Sequence, residues 1–312
     1  MGGTNFPSGL SVYGVPILPA HIGKSEDAQV FFVDGNATYG NSGNDGLTPG
    51  SALANINQAY TKCVDGRGDV IFVAPGTYTL AATLTLSKSN VKFLPLFYSL
   101  GYPSVIITSS QADIFEVEAD RNVFHNFVFQ AGDNAVANIF NVADTVAVKG
   151  FEVVNCIFDP NGKTTVIAIN AADATFAMTY AAIIRNTFLG GFDTTILKIG
   201  AKGFAHSIIE HNLFQILAAK TAIDLADTTA SATGYGFRIR YNDFIGSSDA
   251  GGDEVGIAIS GTEDTTALGI ITNNRYAYCS AAAITADKIS KSMVNNYVGD
   301  AATGGTLVDP GT

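Results

Sequence analysis

The sequence predicts an all-β fold, a single-stranded right-handed parallel β-helix, because two columns of residues interleave along the chain. One column is aromatic and returns every 26 to 32 residues, at Phe129, Phe158, Phe188, Phe214, Phe244 and Tyr276, and then after a shorter step at Tyr297. The second column comprises Phe115, Phe140, Ile167, Leu197, Ile223 and Ile257. Its members lie in alternating runs such as Phe140-Asn-Val142, which is the periodicity of a strand. Leucine-rich repeats are the competing solenoid, but their leucine spacing and helical return are absent.

An asparagine column accompanies the aromatic column. Asparagine stands two residues before each aromatic from Phe188 onward, at Asn186, Asn212, Asn242, Asn274 and Asn295. Coils of a parallel β-helix lie about 4.8 Å apart, so equivalent side chains stack on one another. We therefore predict a structural ladder in which the aromatics fill the bore and the asparagines satisfy backbone groups at a bend. Cys156 holds the asparagine position one coil earlier, where we predict a small buried side chain.

Composition limits the classes of partner. Hydrophobic residues make up 47% of the 312 residues and charged residues 14%, which suits a long continuous core. The formal net charge is −11 and no cluster of Lys or Arg occurs, so we exclude nucleic acid as a main partner. No apolar run is long enough to cross a bilayer and no secretion signal opens the chain, so we expect no membrane partner. We expect the protein to leave the host cell only by lysis or as part of a particle.

The chain divides into three predicted segments. Residues 1–28 form an extended N-terminal docking arm, residues 29–68 a capping strand, loop and lid helix, and residues 69–312 the β-helix. Frequent Pro and Gly exclude a helix in the arm. Its apolar and proline docking residues are Phe6, Pro7, Leu10, Val12, Tyr13, Val15, Pro16, Ile17 and Leu18. Two interpretations remain open: the arm lies along its own β-helix as a cap, or it docks on a partner subunit.

A single amphipathic helix is predicted over residues 52–64, with Ser51 as its N-cap. Leu53, Ile56, Tyr60 and Cys63 recur there at helical spacing. An open end of a β-helix exposes apolar bore and unpaired backbone, so we interpret this helix as a lid.

The sequence predicts no catalytic residues. Glycoside hydrolysis needs two facing carboxylates. The outward residues of the second column read Glu116, Asn141, Ala168, Lys198, Asp224 and Ala258, with no two acids adjacent. A calcium-dependent lyase needs clustered acids beside an Arg or Lys base, whereas Arg185, Lys198 and Arg240 are scattered and tryptophan is absent.

No metal site or cofactor is predicted either. The loop from Asp34 to Asp45 is rich in oxygen donors, but it lacks the glutamate of an EF-hand, and turn formation accounts for its Asn and Gly. The histidines and cysteines do not stand at metal-ligand spacings.

Two segments resemble known families. Phe31-Phe-Val-Asp34, the following Gly/Asn/Asp loop and Val73-Ala-Pro-Gly-Thr-Tyr78 resemble the N-terminal entry of pectate-lyase-like right-handed β-helices. That superfamily contains polysaccharide lyases, hydrolases, phage tailspike depolymerases and structural virion proteins, so the resemblance implies a fold and leaves activity open.

The opening Gly3-Thr-Asn-Phe-Pro-Ser-Gly9, with Tyr13-Gly-Val-Pro16, resembles the start of phage β-helix virion proteins of the head decoration or cement type. This resemblance implies a homotrimer on the capsid exterior, without catalysis. We therefore expect a non-enzymatic virion protein, made in the host cytoplasm, that docks on a major capsid or collar subunit.

A tail-associated polysaccharide depolymerase or glycan-binding receptor protein is the alternative. A third hypothesis, a host adhesin, is disfavoured by the missing export signal.

Overall fold

The fold was taken from a computed structural model of the chain. It describes residues 27–97, 103–142, 147–163, 166–172, 178–199, 204–217, 220–226, 236–247, 254–260 and 269–284, and short strands at 11–12, 15–16, 293–294, 296–299 and 306–308. Successive strands visit three sheets in turn, and each strand pairs in parallel with its equivalent one coil away. The predicted right-handed parallel β-helix is confirmed.

Three long sheets form the faces of the rod. Sheet 1 contains Val30–Val33, Val70–Val73, Lys92–Pro95, Val123–His125, Glu152–Val154, Ala182–Ile184, Ile208–Glu210, Phe237–Arg240, Gly269–Thr272 and Met293–Val294. Sheet 2 contains Gly76–Leu80, Val105–Ser109, Val128–Ala131, Ile157–Asp159, Thr187–Phe188, Leu213–Gln215, Asp243–Ile245, Arg275–Ala277, Asn296–Gly299 and the antiparallel Thr306–Val308. Sheet 3 contains Leu84–Leu86, Asp113–Val117, Asn138–Val142, Ile167–Ala171, Thr195–Ile199, Thr221–Ala226, Val255–Ser260 and Ser280–Ile284. Val148–Lys149 and Met178–Thr179 form a separate two-stranded parallel sheet.

The aromatic column lies inside the bore. Phe158, Phe188, Phe214, Phe244 and Tyr276 are partners in neighbouring sheet 2 strands, and all are buried. Their ring centroids lie 4.7 to 5.0 Å apart with nearly parallel planes. Because inward and outward residues alternate along each strand, one inward position per coil is enough to build a continuous apolar column.

The second column required a correction. Phe140 pairs with Ile169 rather than with Ile167, and Ile169 in turn pairs with Leu197. Ala168, predicted to face outward, is buried, and Asn170 takes the outward position beside Lys198. Simple alternation failed because the sheet 3 strands begin at a bend, where two consecutive residues both enter the bore, as at Ile139 and Phe140.

The last coil is also offset from its predicted register. Tyr276 pairs with Val298, whereas Tyr297 pairs with Arg275. Because the final coil is shorter, Tyr297 lies one residue before the position that pairs with Tyr276. Asn295 lies outside the described residues.

The lid helix spans Ile56–Lys62, and its N-cap is Asn55 rather than the predicted Ser51. Ser51 instead ends a short 3-10 turn that begins at Pro49. Leu53 forms a β-bridge with Val33, and Ala52 and Asn55 on either side of it are extended, so the helix cannot begin before Asn55. The Asn55 side chain accepts a hydrogen bond from the Gln58 N–H, which satisfies a donor at the start of the helix.

The lid helix covers the first coils of the bore. Its Ile56, Ala59 and Tyr60 are buried, and the Tyr60 ring lies 6.1 Å from that of Phe93. At the other end of the helix, Lys88 Nζ donates to the carbonyls of Tyr60, Thr61 and Cys63 at 2.7 to 2.9 Å. A cation on these carbonyls stabilises the helix C-terminus, so the lid is held to the rod by polar as well as apolar contacts.

Within the predicted arm, Ser11–Val12 pairs antiparallel with Val15–Pro16. The predicted docking residues Phe6, Pro7, Leu10, Tyr13, Ile17 and Leu18 lie outside the described residues. Across the described ranges, no helix is both long and apolar enough to cross a membrane.

Candidate functional site

A buried hydrogen-bond ladder runs along the bend between sheets 1 and 2. The Nδ2 of Asn186 donates to Oδ1 of Asn212 at 3.1 Å, and the same bond joins Asn212 to Asn242 and Asn242 to Asn274 at 3.0 Å. Each Oδ1 also accepts the backbone N–H of the asparagine one coil earlier, and each Nδ2 donates to a sheet 1 carbonyl, such as Ile183 O at 2.9 Å. The ladder therefore satisfies backbone groups that the bend leaves unpaired.

Cys156 terminates the ladder. Its backbone N–H donates to Asn186 Oδ1 at 2.9 Å, as the asparagines do among themselves. Its Sγ takes the acceptor role and receives the Phe127 N–H at 3.5 Å, which is a weak bond. Burial raises the pKa of the Cys156 thiol to about 12, so the side chain is a thiol rather than a nucleophilic thiolate at neutral pH.

The residue before each ladder position adopts a left-handed backbone conformation, at Asn155, Arg185, His211, Tyr241 and Asn273, with φ between 54° and 58°. This conformation turns the chain sharply from sheet 1 to sheet 2 and directs the side chain away from the bore. The His211 and Tyr241 rings stack outside at 5.0 Å, and the Arg240 guanidinium lies 5.7 Å from the Tyr241 ring. These corner side chains stabilise one another on the surface.

Charges on the outer faces form pairs of opposite sign. Arg240 binds Glu210 on sheet 1, and Arg275 binds Asp243 on sheet 2. On sheet 3, Lys198 and Asp224 are cross-strand neighbours. Burial raises the pKa of Asp224, and the attraction of Lys198 opposes that rise.

Glu116 is the first of the outward residues that the sequence analysis identified on sheet 3. Its Oε2 accepts a hydrogen bond from Thr85 at 3.2 Å. In the part of the chain that the structure describes, no three His, Cys, Asp or Glu side chains are grouped to hold a metal ion.

The side-chain oxygens of the loop from Asp34 to Asp45 accept hydrogen bonds that form turns. Asp34 Oδ1 accepts the Asn36 N–H at 2.8 Å, Asn36 Oδ1 accepts the Thr38 N–H at 2.9 Å, and Asn41 Oδ1 accepts the Gly43 N–H at 2.8 Å. Asp45 Oδ1 accepts from Leu47 and Ser51 at 3.0 and 2.7 Å. Backbone hydrogen bonding to these Asx side chains is the turn chemistry that the loop sequence indicated.

The outer face of sheet 1 contains a groove of about 380 Å³. Lys92, Val123 and Glu152 are successive cross-strand neighbours on its floor. Arg121 and Tyr180 line its edge at the corner that precedes sheet 1, and both adopt left-handed backbone conformations. Gly150 lies between them in chain order, and a Cβ there would approach the Arg121 side chain to 3.2 Å, so glycine leaves room for the guanidinium stem.

Partial burial governs the charges in this groove. It lowers the pKa of Lys92 and raises that of Glu152, while the attraction between the two opposes both shifts. His125 adds an imidazole to the same lining. Two cationic side chains, one carboxyl group and the exposed Tyr180 ring together suit a polar ligand with negative charge.

Sequence reasoning missed this groove. The signal was present, because Phe93, Phe124 and Val153 extend the inward column of Ile183 and Ile209 toward the N-terminus. Lys92, Val123 and Glu152 immediately precede Phe93, Phe124 and Val153, so alternation along the strands predicts that they form an outward row.

No family model matches the chain, and no curated protein matches it in sequence. Among solved structures, the PL6 family alginate lyase AlyGC is similar, with a TM-score of 0.55 and 11% identity over 88% of this chain. The chain spans about 40% of that enzyme's length. The pectate lyase Pel9A matches with a TM-score of 0.49 and 12% identity, over 89% of this chain and 78% of its own. At 11% identity, the likeness to the alginate lyase shows a parallel β-helix fold and nothing about activity.

Proposed function

We propose that the protein is a non-enzymatic structural component of a bacteriophage particle, either a capsid decoration or cement protein or a fibre-like appendage. It docks on a capsid or collar subunit through residues 1–28. The observation that carries the proposal is an unbroken chain of ring contacts along the bore, from Tyr60 in the lid helix to Tyr276. The N-terminal resemblance to virion proteins supplies the assignment to a particle.

The ring column and the asparagine ladder make a stiff rod because each coil is held to its neighbours by both apolar and polar contacts. In a solenoid, stability is approximately a sum of coil and interface contributions, so a continuous core resists local opening along its whole length. A component on the outside of a particle needs that resistance to proteolysis and shear.

We propose lateral association into a homotrimer. Leu217, Ile245 and Tyr278 are strongly exposed, and all three lie at or just after the ends of successive sheet 2 strands. Exposed apolar side chains on adjoining coils favour an interface. Light scattering should give three times the chain mass of 32.5 kDa, and Ile245→Glu should reduce it to the monomer mass.

The particle assignment is tested by following the chain into virions. The full chain and a chain of residues 27–312, each tagged, are expressed in an infected host and particles are banded by density. We expect the full chain in the particle band and the shortened chain in the soluble fraction, with Ile270→Ser as an exposed apolar control that incorporates normally. Equal incorporation of both chains would overturn docking through the arm, and absence of both from particles would overturn the virion assignment.

A second candidate function is glycan binding or cleavage in the sheet 1 groove, and Lys92 with Arg121 is the observation that favours it. An anionic polysaccharide would place carboxylates against these two cations. The test is binding and product release from uronic-acid polymers by the purified full chain. Lys92→Ala and Arg121→Ala should weaken binding at least tenfold, whereas Arg238→Ala, further along the same row, should not. Measurable release of cleaved sugar would contradict the non-enzymatic proposal.

A further inference from the structure

The outer face of sheet 1 is apolar in its first coils. Its members, which we call the outer apolar patch, are Val30, Phe32, Val70, Phe72, Leu94 and Leu96. They form a cluster separate from the bore, because each alternates with an inward residue such as Phe31, Ile71 or Phe93. The Phe32 and Phe72 rings stack at 5.8 Å. Polar side chains adjoin the patch on the same sheet, with Lys92 paired to Val70 and with His125 and Glu152 in the following coils.

Three members of the outer apolar patch are nevertheless buried. Val70, Phe72 and Leu94 are 0%, 5% and 1% exposed. Ile270 belongs to the same outward row as Val70, several coils further along, and is 44% exposed. Val123, Ala182 and Ile208, which have a strand on each side in the same row, are also only partly buried, so flanking strands alone do not account for the burial of the patch.

The N-terminal arm is the segment placed to cover the patch. The first continuous described stretch begins at Asp27, and Ala28 is already 1% exposed two residues before Val30, which is itself in the patch. Residues 1–23 contain no Asp, Glu, Lys or Arg, and include Leu10, Val12 and Val15. An extended chain spans about 3.3 Å per residue, so every part of the arm can reach a patch three strands wide.

We propose that the N-terminal arm, residues 1–26, binds the outer apolar patch of its own rod. Burial of apolar surface on both sides drives the contact. The inference does not depend on the proposed function, because the patch and its burial belong to the isolated chain. In a particle, docking of the arm on a capsid partner would replace this contact, so the inference concerns the chain before assembly.

Photo-crosslinking in the full chain tests the contact directly. p-Benzoylphenylalanine replaces Phe32 or, in a second variant, Phe72, and peptides joined after irradiation are mapped by mass spectrometry. We expect both positions to crosslink to residues 1–26 in a product of monomer mass. The same probe at Ile184, an outward and half-buried position further along sheet 1, should not crosslink to the arm. Crosslinks from the patch to any other segment, or only between two copies, overturn the proposal.

Limited proteolysis gives a second readout that needs no probe in the patch. Phe72→Ser and Leu94→Ser should release the arm and speed cleavage within residues 1–26 at least tenfold, while Ile184→Ser should leave the rate unchanged. Cleavage as fast in the unsubstituted chain as in Phe72→Ser would also refute the contact. Both readouts are independent of particle incorporation, so this inference and the proposed function fail separately.

Discussion

The two halves of the bore are filled in different ways. Between Val91 and Phe158 the phenylalanines meet mostly edge to face across the interior. Phe124 alone contacts six other rings, of Phe93, Phe115, Phe127, Phe129, Phe140 and Phe151. From Phe158 to Tyr276 five rings instead form one column with face-to-face contacts, and Phe192 meets Phe188 of that column edge to face.

The asparagine ladder follows the same division. It accompanies the ordered column from Asn186 to Asn274, whereas Phe127 and Cys156 hold its position in the earlier half. A ring column and a polar ladder both need identical residues in register, while a cluster of edge-to-face rings needs only enough aromatic volume. One bore therefore tolerates two packing solutions, and the ladder from Asn186 to Asn274 accompanies the ordered ring column.

The largest effect is expected from Phe124→Ala. Loss of the ring leaves a cavity at the centre of the cluster, so we expect a loss of about 5 kcal/mol in the free energy of unfolding, at the upper end for such truncations. Phe214→Ala, whose ring contacts two others, should cost about 3 kcal/mol. Denaturant unfolding followed by circular dichroism measures both. Equal costs would mean that the cluster is no more cohesive than the column. If Phe124→Ala does not fold, Phe124→Leu is measured in its place.

Asn212→Ala should break the ladder in its middle. The substitution leaves the buried Asn186 N–H and Ile183 carbonyl without their partners, which should cost about 3 kcal/mol in unfolding free energy. Asn141→Ala on the outer face of sheet 3 is the control, since it removes one half-buried bond to Asp113 and should cost about 1 kcal/mol. Similar values for the two variants would show that the ladder adds nothing beyond an ordinary surface bond.

Tyr276→Phe should stabilise the column. Within the described part of the chain, the Tyr276 hydroxyl is buried without a hydrogen-bond partner, and burial raises its pKa. Removing an unsatisfied hydroxyl while keeping the ring should raise the free energy of unfolding by about 1 kcal/mol. A loss of stability on thermal unfolding would contradict this.

Cys156→Asn should extend the ladder by one coil. The Cys156 Sγ already faces the Phe127 N–H and the Phe124 carbonyl, which correspond to the groups that Asn186 bonds to. A carboxamide there should gain about 1 kcal/mol in unfolding free energy. Cys156→Ser, with a single shorter polar group, should not match it. If Asn is worse than Ser in chemical unfolding, the earlier half of the bore is too tightly packed by its phenylalanines to accept the ladder.

Much of this architecture was predictable because repetition carries the signal. Phe188, Phe214, Phe244 and Tyr276 recur at coil spacing, each with an asparagine two residues before it, so the bore and its ladder follow from the order of residues. The lid helix was predicted from apolar spacing, although its N-cap was wrong because Leu53 pairs with Val33 instead of entering the helix. The sheet 1 groove was not predicted, since Lys92, Arg121 and Glu152 belong to three coils and look like isolated charges in sequence.

By itself, the sequence determined that the chain stacks into coils and which side chains meet like with like. That outcome depends on local periodicity and repeated identity, which are properties of residue order. Only the tertiary structure decided which strand positions pair, as with Ile169 in place of Ile167, and which outward side chains share a surface. The bends between sheets set both, because a single extra inward residue at a corner shifts every later residue of that strand to the opposite face.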